Sequence, residues 1–213
     1  MISPMSLDSL FSTMLFLLLL NNLLLLGAPG LAALIRLTAF QGILLAVLLF
    51  GMEHALLACA VLGIKGLLLP GLLERTRRRL GAADEPRPRM HLGVCVVTGI
   101  LGLVFSLWLE TRLPILPDLF PPLLLPTALT TLFCGFILVV GRATAISQVI
   151  GYLVAENGIF LLGMPLMAAG AIWFELALLL DIFVAVFVMG NAIGHIGETF
   201  DSLDTGRFRS LRD

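Results

Sequence analysis

Apolar residues in this chain come in runs rather than in alternation. Stretches rich in Leu, Ile, Val, Ala and Phe recur from end to end, separated by short groups of Gly, Pro and charged residues. Each run is about 20 residues, the length one helix needs to cross roughly 30 Å of hydrocarbon. The pattern predicts spans at 9–27, 31–50, 54–73, 91–110, 123–141, 146–168 and 171–194. The predicted fold is therefore an all-α integral membrane protein, a bundle of about seven transmembrane helices. The first span could be taken for a signal peptide. It lacks a positive n-region, and Leu15–Leu26 runs into Gly27-Ala28-Pro29, a turn as readily as a cleavage site, so the span is expected to be kept.

Between the spans, arginine sets the predicted orientation. Arg75, Arg77, Arg78, Arg79, Arg87 and Arg89 crowd the segment 74–90, which the positive-inside rule places in the cytoplasm. Alternation then puts the N-terminus outside and the C-terminus inside. Arg36, Arg142, Arg207, Arg209 and Arg212 fall inside on this count, while Arg112 falls outside with Glu53, Glu110 and Asp118. An even number of spans would break the agreement. Residues 74–90, with Gly81, Pro86 and Pro88, read as a solvated hinge after span three. The outer segment 110–122 holds Pro114, Pro117, Pro121 and Pro122, which stop one helix and delay the next. No stretch is polar enough for a soluble domain, so 1–213 reads as a single membrane domain. Within it, 1–110 carries four spans, 123–194 carries three, and 195–213 is a cytoplasmic tail.

Composition agrees: 59% of the residues are hydrophobic and 13% charged, too few polar groups to cover a soluble core. Cys59, Cys95 and Cys134 fall on different spans, with no C-x-x-C and no Cys/His cluster, so no zinc or iron–sulfur site is expected in this chain. His54, His91 and His195 lie near the span ends and do not suggest the facing pair that a transmembrane haem requires. No phosphate loop, nucleophile elbow or nucleic-acid footprint is present, and neither a catalytic residue nor a bound cofactor is expected.

The informative residues lie inside the spans. Lys65, Glu156 and Asp181 each sit midway along an apolar run, roughly 14–16 Å deep at about 1.5 Å per residue, and Gln41 reaches a similar depth. A charge at the bilayer centre costs about 2.5–3.5 kcal/mol on insertion scales, and such groups avoid lipid, face the bundle interior and pair with one another. Burial disfavours the charged form of acids and bases alike, which brings such groups towards proton exchange. Lys65, Glu156 and Asp181 are therefore candidate members of a midplane proton relay. A structural ion pair between Lys65 and either acid is the plain alternative, and the two roles can coexist. Supporting polar residues are Gln41, Gln148, Tyr152, Asn157 and His54. Gln148, Tyr152 and Glu156 recur at i, i+4, i+8 along one helix face, and His54 and Lys65, eleven positions apart, fall on nearly the same face on the outer side. Pro70 removes the usual partner of the Gly66 carbonyl and predicts a kink, which Gly63 and Gly66 ease. Asn21 and Asn22, interrupting the leucine run of span one, are expected to serve packing.

At these residues the sequence resembles the component E membrane subunit of hydrogenase-4 and formate hydrogenlyase-type complexes. The resemblance is carried by ISQVIGYLVAENGIFLLG (146–163) and FELALLLDIFVAVFVMG (174–190), with weaker matches at Gln41, IKGLLLP (64–70) and ETFDSLD (198–204). Spans five to seven are also similar to the K subunit of complex I, which has a carboxylate in each of its second and third helices. Those positions correspond to Glu156 and Asp181. The resemblance implies a non-redox subunit in the inner (cell) membrane of a bacterium or archaeon, beside antiporter-like membrane subunits and peripheral redox subunits. Nickel–iron and iron–sulfur centres would then belong to those partners, and the carboxylates would serve proton or sodium translocation coupled to electron transfer. A purely structural scaffold in the same complex, or a component of a multi-subunit cation/proton antiporter, are the alternatives.

Overall fold

The structure is a computed structural model and describes residues 4–52, 54–79, 90–113 and 121–168. The expected seventh span (171–194), with Asp181, and the tail 195–213 lie outside the described residues. Within them the chain is helical: α1 (Pro4–Gly27), α2 (Leu31–Gly51), α3 (Ala55–Val61), a π-helical segment (Leu62–Leu68), α4 (Leu69–Arg79), α5 (Leu92–Arg112), α6 (Leu124–Gly141) and α7 (Ala145–Ala168). Because α3, the π segment and α4 run on as one rod, the described residues contain 6 helices long and apolar enough to cross a membrane. Their limits follow the apolar runs. Gly27, Gly51 and Gly141 close α1, α2 and α6, and the Pro121-Pro122 pair delays α6.

Span three departs from expectation in two ways. Its ladder widens over Leu62–Leu68, so that the Leu69 N–H bonds the Ile64 carbonyl five residues back. Pro70 brings no N–H, and its ring would crowd the Gly66 carbonyl in a regular helix. A widened turn ahead of it relieves that conflict. The helix also persists through Arg79, into the segment read as loop. Glu74 explains part of this. Its carboxylate accepts from Arg77 Nε (2.9 Å) and Nη2 (2.9 Å), one turn on, and from Arg78 Nε (2.7 Å).

In a bilayer the lipid is as apolar as leucine, so helices associate through close packing and polar bonds rather than through removal from water. The pair α6–α7 shows the packing. A Cβ placed on Gly158 would lie 2.5 Å from the Leu132 nitrogen and 2.9 Å from the Ala128 carbonyl oxygen. Only glycine lets the two backbones meet there. Among the described spans α5 is the least buried, 17% over its apolar window against 67% for α7, with Val94, Val97, Leu101, Val104 and Trp108 exposed.

The connections fall at two ends of the bundle. At one end, the fully buried Arg142 donates from Nη2 to the Ala28 carbonyl (2.7 Å), and the Met90 N–H bonds the Gly141 carbonyl (3.3 Å). These bonds gather the α1–α2 turn, the start of α5 and the α6–α7 turn together, as alternating spans require. Burial pulls the Arg142 pKa below its ordinary value. At the other end, Glu110 at the close of α5 accepts from the Leu123 N–H (3.2 Å), where Leu123 takes a left-handed φ of 70° before α6 starts.

Candidate functional site

Lys65 occupies the middle of the π segment, and α2 is drawn against it. A Cβ on Gly42 would stand 2.7 Å from both the carbonyl carbon and the carbonyl oxygen of Lys65. This approach sets the lysine beside Gln41 on α2 and directs its chain towards α7. Lys65 is 5% exposed. Its Nζ lies 2.9 Å from Glu156 Oε1 and donates to Asn157 Oδ1 at 2.8 Å, with the Phe160 ring centroid 5.5 Å away. Glu156, Asn157 and Phe160 thus present a carboxylate, an amide oxygen and a ring face to one ammonium, all from two turns of α7.

The bonds continue through the bundle. Asn157 Nδ2 donates to Gln41 Oε1 (3.1 Å), Gln41 Nε2 to Asn22 Oδ1 (2.8 Å), and Asn22 Nδ2 to Thr131 Oγ1 (2.7 Å). The Thr131 hydroxyl then donates to the Thr127 carbonyl in its own helix (2.6 Å). Asn22, Gln41, Thr131 and Asn157 are all essentially inaccessible. The path crosses α7, α2, α1 and α6. Gln41 can meet Asn22 because side chains on a helix lean towards its N-terminus, which lowers the Gln41 amide about one turn towards the α1–α2 connection.

The carboxylate is handled differently from the ammonium. Glu156 Oε1 is paired, but Oε2 is buried and accepts no hydrogen bond among the described residues. A buried carboxylate oxygen without a partner is costly as an anion, and a proton on it removes much of that cost. Chemically, the site brings an ammonium and a carboxylate together in the bundle and leaves one carboxylate oxygen bare among the described residues. Among the described residues no group of His, Cys, Asp and Glu could hold a metal ion.

Of the residues expected to form the relay, Lys65 and Glu156 meet, joined by the supporting Gln41 and Asn157; Asp181 lies outside the described residues. The rest of the expected set is placed elsewhere. Tyr152 is 48% exposed. Gln148 lies near the α6–α7 turn, its Nε2 3.5 Å from the Arg142 carbonyl. The stripe Gln148–Tyr152–Glu156 shares a helix face as expected, but the buried polar path leaves Glu156 sideways through the bundle rather than down α7. His54 sits at the N-terminus of α3, partly exposed. Its predicted alignment with Lys65 assumed one regular helix, and the π segment between them changes the phase.

Asn22, Thr131 and Phe160 were not singled out as site residues from sequence. Asn22 joins helices, as expected of a packing amide, and in doing so is also a link in the chain from Lys65, while Asn21 bonds the Leu37 carbonyl (3.2 Å). The only available signal was an amide pair set within a leucine run.

Comparison with known proteins gives one relationship that decides kinship. The chain is 31% identical over 207 residues to "Uncharacterized protein Rv0085" of Mycobacterium tuberculosis, a match covering 92% of this chain and 93% of that protein. The chain belongs to the Rv0085 family. No family model matches it, and no solved structure matches it. The kinship with Rv0085 extends over nearly the whole of both proteins.

Proposed function

We propose that this chain is a non-redox membrane-arm subunit of a hydrogenase-4 or formate hydrogenlyase-type energy-converting complex, in which Glu156 takes up and releases protons opposite Lys65. The observation that carries the reading is the buried Lys65–Glu156 pair, with one carboxylate oxygen bonded to the ammonium and the other bonded to nothing among the described residues. A pair built only to join helices gains from satisfying both oxygens; one left bare is where a proton can be held. The resemblance of 146–163 to component E and to the K subunit of complex I supports the same role, and adds Asp181 as a second acid on the seventh span. In this reading the bundle has seven spans, with the N-terminus outside and the C-terminus in the cytoplasm of a bacterial or archaeal cell membrane. Antiporter-like subunits lie beside it, and the nickel–iron and iron–sulfur centres belong to peripheral partners. Protons, or sodium ions, are moved as electrons pass through those partners.

The polar network favours a second reading, a scaffold without a transport role, because the same bonds tie together α1, α2, α6, α7 and the π segment. The test is coupled transport in membrane vesicles carrying Glu156→Gln. Glutamine keeps an oxygen for Lys65 but leaves the ammonium without a counter-charge, so Lys65→Met/Glu156→Gln serves as the neutral control. Loss of transport in both, with the partners still co-purifying, is the expected result. Full coupling in assembled complexes refutes the relay and leaves the scaffold. Purification without any nickel–iron or iron–sulfur protein refutes the placement in a hydrogenase-type complex.

A further inference from the structure

The bonds leading away from Lys65 all point the same way. Lysine has only protons to give at the near end, so Asn157 must turn its oxygen to Lys65 and its NH2 to α2. Gln41 must then accept from Asn157 and donate to Asn22, and Asn22 must accept from Gln41 and donate to Thr131. At the far end the Thr127 carbonyl can only accept, which commits the Thr131 hydroxyl to donate to it. With a donor fixed at one end and an acceptor at the other, reversing any amide between them sets oxygen against oxygen at one joint and N–H against N–H at the next. Aligned amides also strengthen one another in a low dielectric.

We propose that Asn157, Gln41, Asn22 and Thr131 form a directed hydrogen-bond chain that positions Lys65 as the charged partner of Glu156, with Thr131 as its far anchor. The inference rests on the reading of Lys65 and Glu156 as the proton-handling pair and deepens it. These amides do not carry protons, so the chain is no conduit. It does for the ammonium what water does outside the membrane: every carbonyl in it is aimed back towards the positive charge. The proton that moves is the one on Glu156, whose second oxygen lies off the chain. Thr131 touches neither Lys65 nor Glu156 in the network; it acts through Asn22, Gln41 and Asn157 in turn.

The test needs no transport assay. A hydrophobic carbodiimide modifies a membrane-embedded carboxyl only in its protonated form, and mass spectrometry of the full-length protein in lipid nanodiscs reads the rate at Glu156, with Glu156→Gln as the blank. Pairing with Lys65 should make the native rate slow and Lys65→Met fast. Thr131→Val, isosteric but without the hydroxyl, should accelerate labelling about five-fold or more, the scale set by one unsatisfied buried hydrogen bond. Asn22→Leu should do likewise, and Thr131→Ser should restore the native rate. A loss of packing alone lowers the unfolding midpoint and is not rescued selectively by a hydroxyl. If Asn22→Leu fails to insert, Thr131→Val, which alters one atom, still decides. Unchanged labelling in Thr131→Val overturns the proposal, and so does equal labelling of the native protein and Lys65→Met. Either result leaves the transport role of Glu156 to stand or fall on vesicle coupling.

Discussion

Removing the charge at Lys65 should destabilise the bundle far more than removing any neutral member of the network. At the observed 2.9 Å, and with an effective dielectric of about 20, the gross attraction to Glu156 is about 6 kcal/mol. Taking both ions out of water has already consumed most of this, so the intact pair contributes little net stability. Breaking it is another matter. Lys65→Met leaves a carboxylate 12% exposed with neither oxygen compensated, and the cost of such a broken pair is about 3–5 kcal/mol. By comparison, a neutral bond between membrane helices averages about 0.6 kcal/mol and reaches about 1.7. The assay is reversible unfolding in mixed micelles followed by tryptophan fluorescence and circular dichroism, for Lys65→Met, Glu156→Leu and the double variant. Lys65→Met should lose about 3 kcal/mol or more, while Lys65→Met/Glu156→Leu should recover most of it, because two apolar side chains replace two ions. If the single losses add to the double within about 0.5 kcal/mol, the residues do not act as a pair and the reasoning fails.

Three further outcomes follow from the same geometry. Asn157→Leu removes the bonds to Lys65 and Gln41, and should cost about 1–2 kcal/mol in that unfolding assay, less than Lys65→Met. Gly42→Ala brings a methyl against the Lys65 backbone, which cannot yield as a side-chain tip would; it should cost about 1–3 kcal/mol and lower the cross-linking yield between cysteines placed on α2 and the π segment. Arg142→Met loses the bond that holds the α6–α7 turn to Ala28; about 1–3 kcal/mol of stability should go, with faster amide hydrogen exchange at the ends of α1 and α7.

Much of the architecture was legible because membrane spans are set by one quantity, the length of an apolar run. The predicted limits of span two, 31–50, and of α2, Leu31–Gly51, differ by a residue. The depth of a charge is legible for the same reason, and Lys65 and Glu156 stood out by residue type and place. Their partnership was not, since Lys65 could have met either acid on depth alone. The π segment was hidden too. Pro70 announces a disturbed ladder, but whether a helix kinks or widens depends on what packs against it, and here α2 approaches at Gly42. Asn22 was the hardest to read. Its partner Thr131 is 109 positions away on a helix that sequence could not place beside α1.

The network also bears on how the bundle holds its fold. Burying leucine against leucine gains little where the alternative is lipid, so specificity falls to close backbone approach and to polar bonds that have no acceptable partner elsewhere. Here both serve the same spot: Gly42 and Gly158 bring α2 and α6 against the residues that carry Lys65, Glu156 and Asn157. Lys65 meets its carboxylate and amide acceptors on α7, and α1, α2 and α6 each contribute a link to the bonds that hold Asn157 against it. The charge therefore selects the register of the bundle around it. A protein that needed only the register could use neutral amides throughout, as the Asn22–Gln41–Asn157 run shows. Retaining an ammonium and a carboxylate at the end of that run, at a cost of about 2.5–3.5 kcal/mol each on insertion scales, is what the role proposed for Glu156 would account for and a need for register alone would not.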